Sequence, residues 1–466
     1  HERIKEKSLD LLDSHVFQFD FLNDSFDKLP QSLQDIINDS ERRRKLVVYI
    51  NPPYAEAGET RQLSGTSKNK TNVAVTNKTY KKYLPVIGIA GRELFAQFFM
   101  RIYDEIPTSV LAEFSKLKTL QAPNFRDFRQ AFRAKLGRNF IVPANSFDNV
   151  KGQFPIGFFI WHTEEKVTFE HTTSDVFTKN GESLGQKGIY SHDNSKGNIV
   201  SWIITFKDDV GAKIGYQHNP KNDFQHQSQV FFINKKEQLP TPRGWWITQN
   251  NLIPMCIFLS VRKVIEATWL NDRDQFLYPN DGWKSDREFQ NDCLVFTLFS
   301  NSNNIQSQHS TNHWIPFSEE EVGAQDNFES HFMHDFIMGK VKEKKPQQEG
   351  TKQDLFTEQE AHTSDGNSFT PTEPLDFSQE AQAVLDAGRE LWRYYHKQAG
   401  ANPNASYYDI KMHFQGTKTT KSGKVQMNST SEDATYNALL ADLRQSMKLL
   451  AAHIEPKIYD YGFLKK

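Results

Sequence analysis

The chain has 466 residues, enough for about three domains and a sizeable core. Its 56 Lys and Arg against 58 Asp and Glu leave a net charge of −2. That excludes a globally basic protein and confines any phosphate contact to local patches. Two cysteines, Cys256 and Cys293, without metal-like spacing, argue against a disulfide framework or a zinc site, and suit a reducing, cytoplasmic setting. No apolar run reaches transmembrane length, so no membrane partner is expected.

Residues 1–13 place Ile4, Leu9 and Leu12 on a loose apolar face and read as the end of a helix. With His1 in place of a methionine and no leader, the chain is expected to be part of a longer protein. His15 to Leu22 alternates and then turns polar, which predicts a strand ending at Asp20. A helix is expected from Pro30 to about Ser40, with Leu33, Ile36 and Ile37 inward. The basic cluster Arg42 to Lys45 then runs into five apolar residues, Leu46 to Ile50, which stop at Asn51-Pro52-Pro53-Tyr54. Neither proline can continue a sheet ladder, so the run reads as a buried strand with Asn51 at its carboxyl end. In open α/β sheets ligands bind there. The alternation of strand and helix predicts a parallel sheet with crossover helices.

Beyond the motif, residues 55–84 are polar and lysine-rich, with Lys68, Lys70, Lys78, Lys81 and Lys82. Such a loop is either merely solvated or placed to meet phosphates. Leu94, Phe95, Phe98, Phe99 and Ile102 form one stripe of a helix over residues 91–106. A strand is expected at Ser109 to Phe114, then a helix from Phe125 to Leu136 capped by Asn124, with Arg126, Arg129, Arg133 and Lys135 outward. Phe140 to Pro143 and Phe154 to Trp161 read as further strands. From about residue 166 to 340, short β-like runs (Asn198 to Phe206, Val230 to Ile233, Cys293 to Phe299) recur between Asn- and Gln-rich loops. Residues 341–375 read as a linker, and 376–466 as a helical region with helices at Phe377 to Gln398 and Ser431 to His453, then a docking tail at Lys457 to Leu464.

Asn51-Pro52-Pro53-Tyr54 after an apolar strand resembles the catalytic motif of amino-methyltransferases that use S-adenosylmethionine, above all the adenine-N6 DNA methyltransferases of restriction–modification systems. The resemblance implies a partial Rossmann-like α/β sheet over residues 1–165, a β-rich target-recognition domain over 166–340, and C-terminal helices. It implies that the Asn51 side-chain oxygen and the Pro52 carbonyl accept both protons of a flipped adenine amine. An exocyclic amine is a poor nucleophile, and those bonds free its lone pair for attack on the methyl sulfonium. Pro53 holds the turn, and Tyr54 stacks on the base. In the family an acidic residue at a strand end binds the adenine amine of the cofactor and the next residue packs on its ring; Asp20 and Phe21 match. An aromatic before proline lines the far side of the base pocket; Phe154 matches. The five lysines would meet the backbone of double-stranded DNA, and a restriction or specificity domain or subunit is the implied partner. The sequence departs from the family in one respect. The glycine-rich cofactor loop belongs upstream of these elements, yet the first glycine is Gly58.

Three plainer readings stand beside this one. Asp20 can be a loop aspartate, Phe154 a core residue, and Asn-Pro a structural turn. The motif also occurs in enzymes that methylate a protein glutamine amide or an RNA guanine, and a non-catalytic DNA-recognition module would carry the same remnant sheet. His331 and His334 stand three apart without a third ligand, so no metal site is expected.

Overall fold

A six-stranded mixed sheet organises the first part of the chain in the computed structural model, which describes residues 15–52, 73–147, 150, 152–192, 196–218, 221–341, 369–420, 423 and 425–466. Its strands are β1 (Val47–Ile50), β2 (Val110–Lys116), β3 (Ala134–Pro143), β4 (Pro155–Lys166), β5 (His171–Phe177) and β6 (Ser183–Tyr190), in the order β1-β2-β4-β3-β5-β6. β1 runs parallel to β2, with Ile50 opposite Glu113. β4 is antiparallel to both β2 and β3. β5 pairs parallel with β3 and antiparallel with β6. The chain divides into two compact units, His1–Asp193 with Thr268–Gln275, and Asn194–Ala267 with Phe276–Lys466.

In the first unit, α1 (Gln31–Asn38), α2 (Lys78–Ile87), α3 (Leu94–Glu105) and α4 (Arg126–Ala131) accompany the sheet. The apolar stripe of α3 buries Leu94, Phe95, Phe99 and Ile102. Phe95, Phe99 and Ile102 join Leu111, Ile141, Phe159 and Trp161 in one core on one face of the sheet. Strand alternation then sends Val47 and Tyr49 to the opposite face. They are 58% and 62% exposed. β1 is therefore an edge strand with one open face, not the buried strand its composition predicts. Val48 and Ile50 contribute to the covered side and Tyr49 does not.

Other expectations change for local reasons. Residues 16–20 form no strand. Helix α4 stops at Ala131, and Leu136 lies in β3 rather than in a helix, because Ala134 to Leu136 pair with β4. Arg129 is buried rather than outward, and donates to the carbonyls of Thr119 and Ala122. The unit does not end at residue 165: β5 and β6 extend the same sheet, and the segment Thr268–Gln275 returns to it with Trp269 and Leu270 against its core.

The second unit is more helical than the β-rich domain expected. Its described residues hold a small hairpin of Thr417–Thr419 with Val425–Met427, and a three-stranded sheet, β7 (Lys213–His218), β8 (Phe231–Ile233) and β9 (Gly244–Thr248), in the order β8-β7-β9. Around it lie α5 (Ile199–Ile204), α6 (Leu252–Lys263), α7 (Arg287–Leu298), α8 (Gln379–His396), α9 (Tyr407–Gln415) and α10 (Ala434–Asp460). Asn198 to Phe206 and Cys293 to Phe299 are helical, not extended. Asn198 caps α5 by accepting from Val200 and Ser201, and Asp286 caps α7 by accepting from Phe289. Residues buried on all sides lose the period that separates a strand from a core helix. The C-terminal helices share this core, so the boundary at 340 is not a domain boundary. Most of the 341–375 linker lies outside the described residues. In the tail, α10 continues to Asp460, and Phe463 is buried with its carbonyl accepting from Leu277.

A close approach inside this core gives one expected outcome. A Cβ at Gly388, in α8, would stand 2.3 Å from the Phe299 ring, which itself meets Trp392 edge-on. Both side chains are buried, so neither has room to yield. Gly388→Ala should therefore destabilise the unit by about 1–3 kcal/mol despite its better helix propensity. Chemical denaturation of the variant reads this directly, and a stabilised variant would contradict the packing.

Candidate active site at the carboxyl end of β1

Asn51 and Pro52 follow β1 directly, Asn51 exposed and Pro52 buried. Pro53 and Tyr54 lie outside the described residues, as do Lys68 and Lys70. The carboxyl ends of β1 and β2 and the amino end of β4 lie at one end of the sheet, as the pairings of Ile50 with Glu113 and of Lys116 with Ile156 require. Phe154, half-buried, immediately precedes β4 and so sits at that same end. Its carbonyl accepts from Ala144, which anchors the entry to the strand. Two strand spacings separate Asn51 from Phe154 sideways, about 10 Å. The two residues thus border one sheet end without touching across a single-ring gap.

Asp20 and Phe21 occupy a tight turn. Asp20 Oδ1 accepts from the amides of Leu22 and Asn23 at 3.0 and 3.2 Å, and Oδ2 accepts from Asn23 Nδ2 at 2.8 Å. This is the self-capping geometry that makes aspartate frequent in turns. The turn is tied to the start of α2: Asn23 Oδ1 accepts from the Lys78 amide at 3.0 Å, and the Leu22 carbonyl accepts from Thr79 Oγ1 at 2.7 Å. So the fold brings the Asp20–Asn23 turn to the helix that follows the proline motif. Phe21 stacks on Phe98 of α3 with centroids 4.8 Å apart. Arg101 lies over the Phe21 ring and donates to the Phe21 and Asp24 carbonyls.

The lysines separate into two groups by environment. Lys78 and Lys81 are exposed on the first turn of α2, whose Asn77 cap accepts from Tyr80. Lys82 is bound by Asp104 at 2.8 Å and Glu105 at 3.0 Å. Two carboxylates on one ammonium leave it little attraction for a phosphate. Among the described residues, the polar stretch after the motif is helical at Val73–Thr76 and again from Lys78 onward, not one long loop.

Glu113 belongs to no motif in the sequence. It is fully buried in β2, opposite Ile50 and one step from the level of Asn51. Trp161 Nε1 donates to its Oε1 at 3.1 Å and Ser115 Oγ lies 3.3 Å away, while Oε2 has no hydrogen-bond partner. Burial pushes its pKa up to about 8, against the opposing pull of those two bonds. The available signal was a lone carboxylate inside the apolar strand Val-Leu-Ala-Glu-Phe. Its side chain points to the helix-covered face, so it conditions the strand beside the motif rather than lining the exposed end.

Elsewhere, a cleft of about 520 Å³ lies where α9 meets the hairpin that follows, lined by Phe414, Gln415, Asn428 and Ser431 among others. None of the residues predicted from the motif lines it. Among the described residues no helix is long and apolar enough to cross a membrane. Searches of protein-family models, of curated proteins and of solved structures return no match to this chain.

Proposed function

We propose that the chain is the carboxyl-proximal part of an S-adenosylmethionine-dependent adenine-N6 DNA methyltransferase of a restriction–modification system. The observation that carries this reading is the position of Asn51-Pro52. They stand at the carboxyl end of a strand paired in parallel with its successor, and α2 and α3 form the crossover between them. A helix and an antiparallel strand pair, β3 and β4, come next. The resemblance places alternating helices and strands and then a final strand pair after the motif, and this succession supports the reading. Phe154 at the same sheet end supports its role opposite Tyr54.

The open face at Val47 and Tyr49 supports a second requirement of the reading. Parallel strands are ordinarily covered on both faces. A further segment carrying strands, helices and the glycine-rich loop would cover this face and complete the cofactor site. In the active assembly, Asn51 Oδ1 and the Pro52 carbonyl would accept the two amine protons of the flipped adenine. The protein's part is then to orient the amine and exclude competing geometries. Within the turn, Asp20 Oδ2 accepts one bond, from Asn23 Nδ2, and its second lone pair would accept from the cofactor's adenine amine, with Phe21 beside it.

That turn favours a second reading, a non-catalytic DNA-recognition module, because the carboxylate already has local donors. Titration calorimetry of the chain with S-adenosylmethionine separates the two. Micromolar binding, by this chain or by a protein carrying the additional segment, and its weakening by Asp20→Ala, would support the methyltransferase. Absence of binding both here and in a protein carrying the additional segment would leave only the recognition module.

A further inference from the structure

Three helices of the second unit converge on one histidine. His453, on α10, places Nε2 3.3 Å from Glu288 Oε1 and 3.6 Å from Asp292 Oδ2. Glu288 and Asp292 are four residues apart on α7, and so lie on one face of that helix. On its other side, His453 Nδ1 faces Glu380 Oε2 of α8 at 3.7 Å. The ligand atoms of Glu288, Asp292 and His453 all lie within 4.8 Å of one another. None of these residues takes part in the site at β1.

Asp292 gives the cluster its direction. Its side chain is 1% exposed. Oδ1 accepts from the Ser378 amide at 3.2 Å, which fixes the carboxylate at the start of α8. Oδ2 receives no hydrogen bond and points at His453 Nε2. A buried carboxylate oxygen with no donor is costly unless a positive charge meets it. A neutral imidazole with its proton on Nδ1, the side that faces Glu380, would turn its Nε2 lone pair toward two carboxylates. That arrangement is repulsive unless a cation stands between them.

The geometry points to a binding site for a first-row divalent metal ion, with zinc as the reference case, held by Glu288, Asp292 and His453. Two ligands of one tetrahedral ion at bonds of about 2.0–2.2 Å stand about 3.3–3.6 Å apart. The two distances to Nε2 fall in that range. They are longer than the roughly 2.7–2.9 Å of a charged hydrogen bond from an imidazolium. Imidazolium could also direct its Nε2 proton at only one of the two oxygens. One nitrogen with two carboxylate oxygens suits zinc or manganese rather than the softer metals. Glu380 would act as the outer carboxylate that sets the tautomer and orientation of a metal-bound histidine. Glu288 and His453 are 55% and 37% exposed, so solvent reaches the ion and supplies its remaining ligand. The site would clamp α7 to α10, with α8 as the outer support.

Equilibrium dialysis of the whole chain against zinc, followed by metal analysis, tests the assignment. One zinc per chain is expected, with a rise in the melting temperature on addition of zinc. His453→Gln and Asp292→Asn should abolish that equivalent, and Glu380→Gln should weaken it by about tenfold. Because Asp292 is buried and its variant can misfold, Glu288→Gln at the surface supplies the second reading. It should lose zinc while keeping the far-UV circular dichroism of the parent. Cobalt in place of zinc should show a visible absorption band that His453→Gln removes. No retained zinc, or retention unchanged in the His453 and Glu288 variants, would overturn the site.

Discussion

Asn51→Ala in a protein that carries the complete cofactor site will lower adenine methylation by at least about 10²–10³-fold, the loss expected when one preorganised hydrogen-bond partner of a reacting group is removed. Asn51 is exposed beyond the end of β1, so the same substitution should change stability by less than about 1 kcal/mol. The two effects therefore separate. Methyl transfer from tritiated S-adenosylmethionine to DNA, protein and RNA, run in parallel, identifies the substrate. Thermal unfolding reports the fold. Tyr54→Ala should weaken base engagement by about 1–3 kcal/mol through lost stacking, while Tyr54→Phe retains it. Wild-type methylation by the Asn51 variant would end the proposed role of the motif.

Glu113→Gln will remove the pH dependence of stability that this one carboxyl gives the native first unit. Glu113 has its pKa raised to about 8 by burial, against about 4.5 for the ordinary carboxyl. In the folded protein it holds a proton that the unfolded chain gives up. The folded state thus binds more protons between these values, and stability must fall as the pH rises from about 4.5 to about 8. The slope approaches about 1.4 kcal/mol per pH unit as a ceiling. Glutamine has the shape of the protonated acid and can still accept from Trp161 Nε1. The variant and native protein should therefore match near pH 5, with the variant more stable at pH 8. Urea unfolding followed by Trp161 and its neighbours across that range provides the comparison. Parallel curves for the two proteins would show that Glu113 keeps its ordinary pKa. The effect matters for the proposed site because Glu113 shares the strand pair that ends at Asn51.

Patterns with a long period were legible from residues alone. The stripe of Leu94, Phe95, Phe99 and Ile102 gave α3, and Phe377 onward gave α8, because an amphipathic face repeats over several turns. The proline stop at Asn51 placed the end of β1 correctly. Short apolar runs were ambiguous. Ile199 to Ile204 and Cys293 to Leu298 look like strands in composition, yet their surroundings bury them as helix. Tyr407 to Gln415 is not legible as a helix from residues alone, because its apolar face is short and its start depends on a capping box at Ser406 and Asp409. At the candidate site, the motif was readable and the burial of Glu113 was not. A carboxylate in a strand is charged or neutral according to which face of the sheet it meets.

The proline-ended strand, Asn51 at its carboxyl end, and Phe154 before Pro155 were determined by the amino-acid sequence, since each follows from local backbone rules. Only the tertiary structure decided that β1 is an edge strand with Val47 and Tyr49 exposed, because edge and centre differ in neighbours and not in composition. It also decided that Asp20 caps its own turn and that Lys82 is held by Asp104 and Glu105. The convergence of Glu288, Asp292 and His453 belongs to the same class. Residues 165 positions apart in the chain meet only when α7 and α10 fold together, and no local spacing announces them.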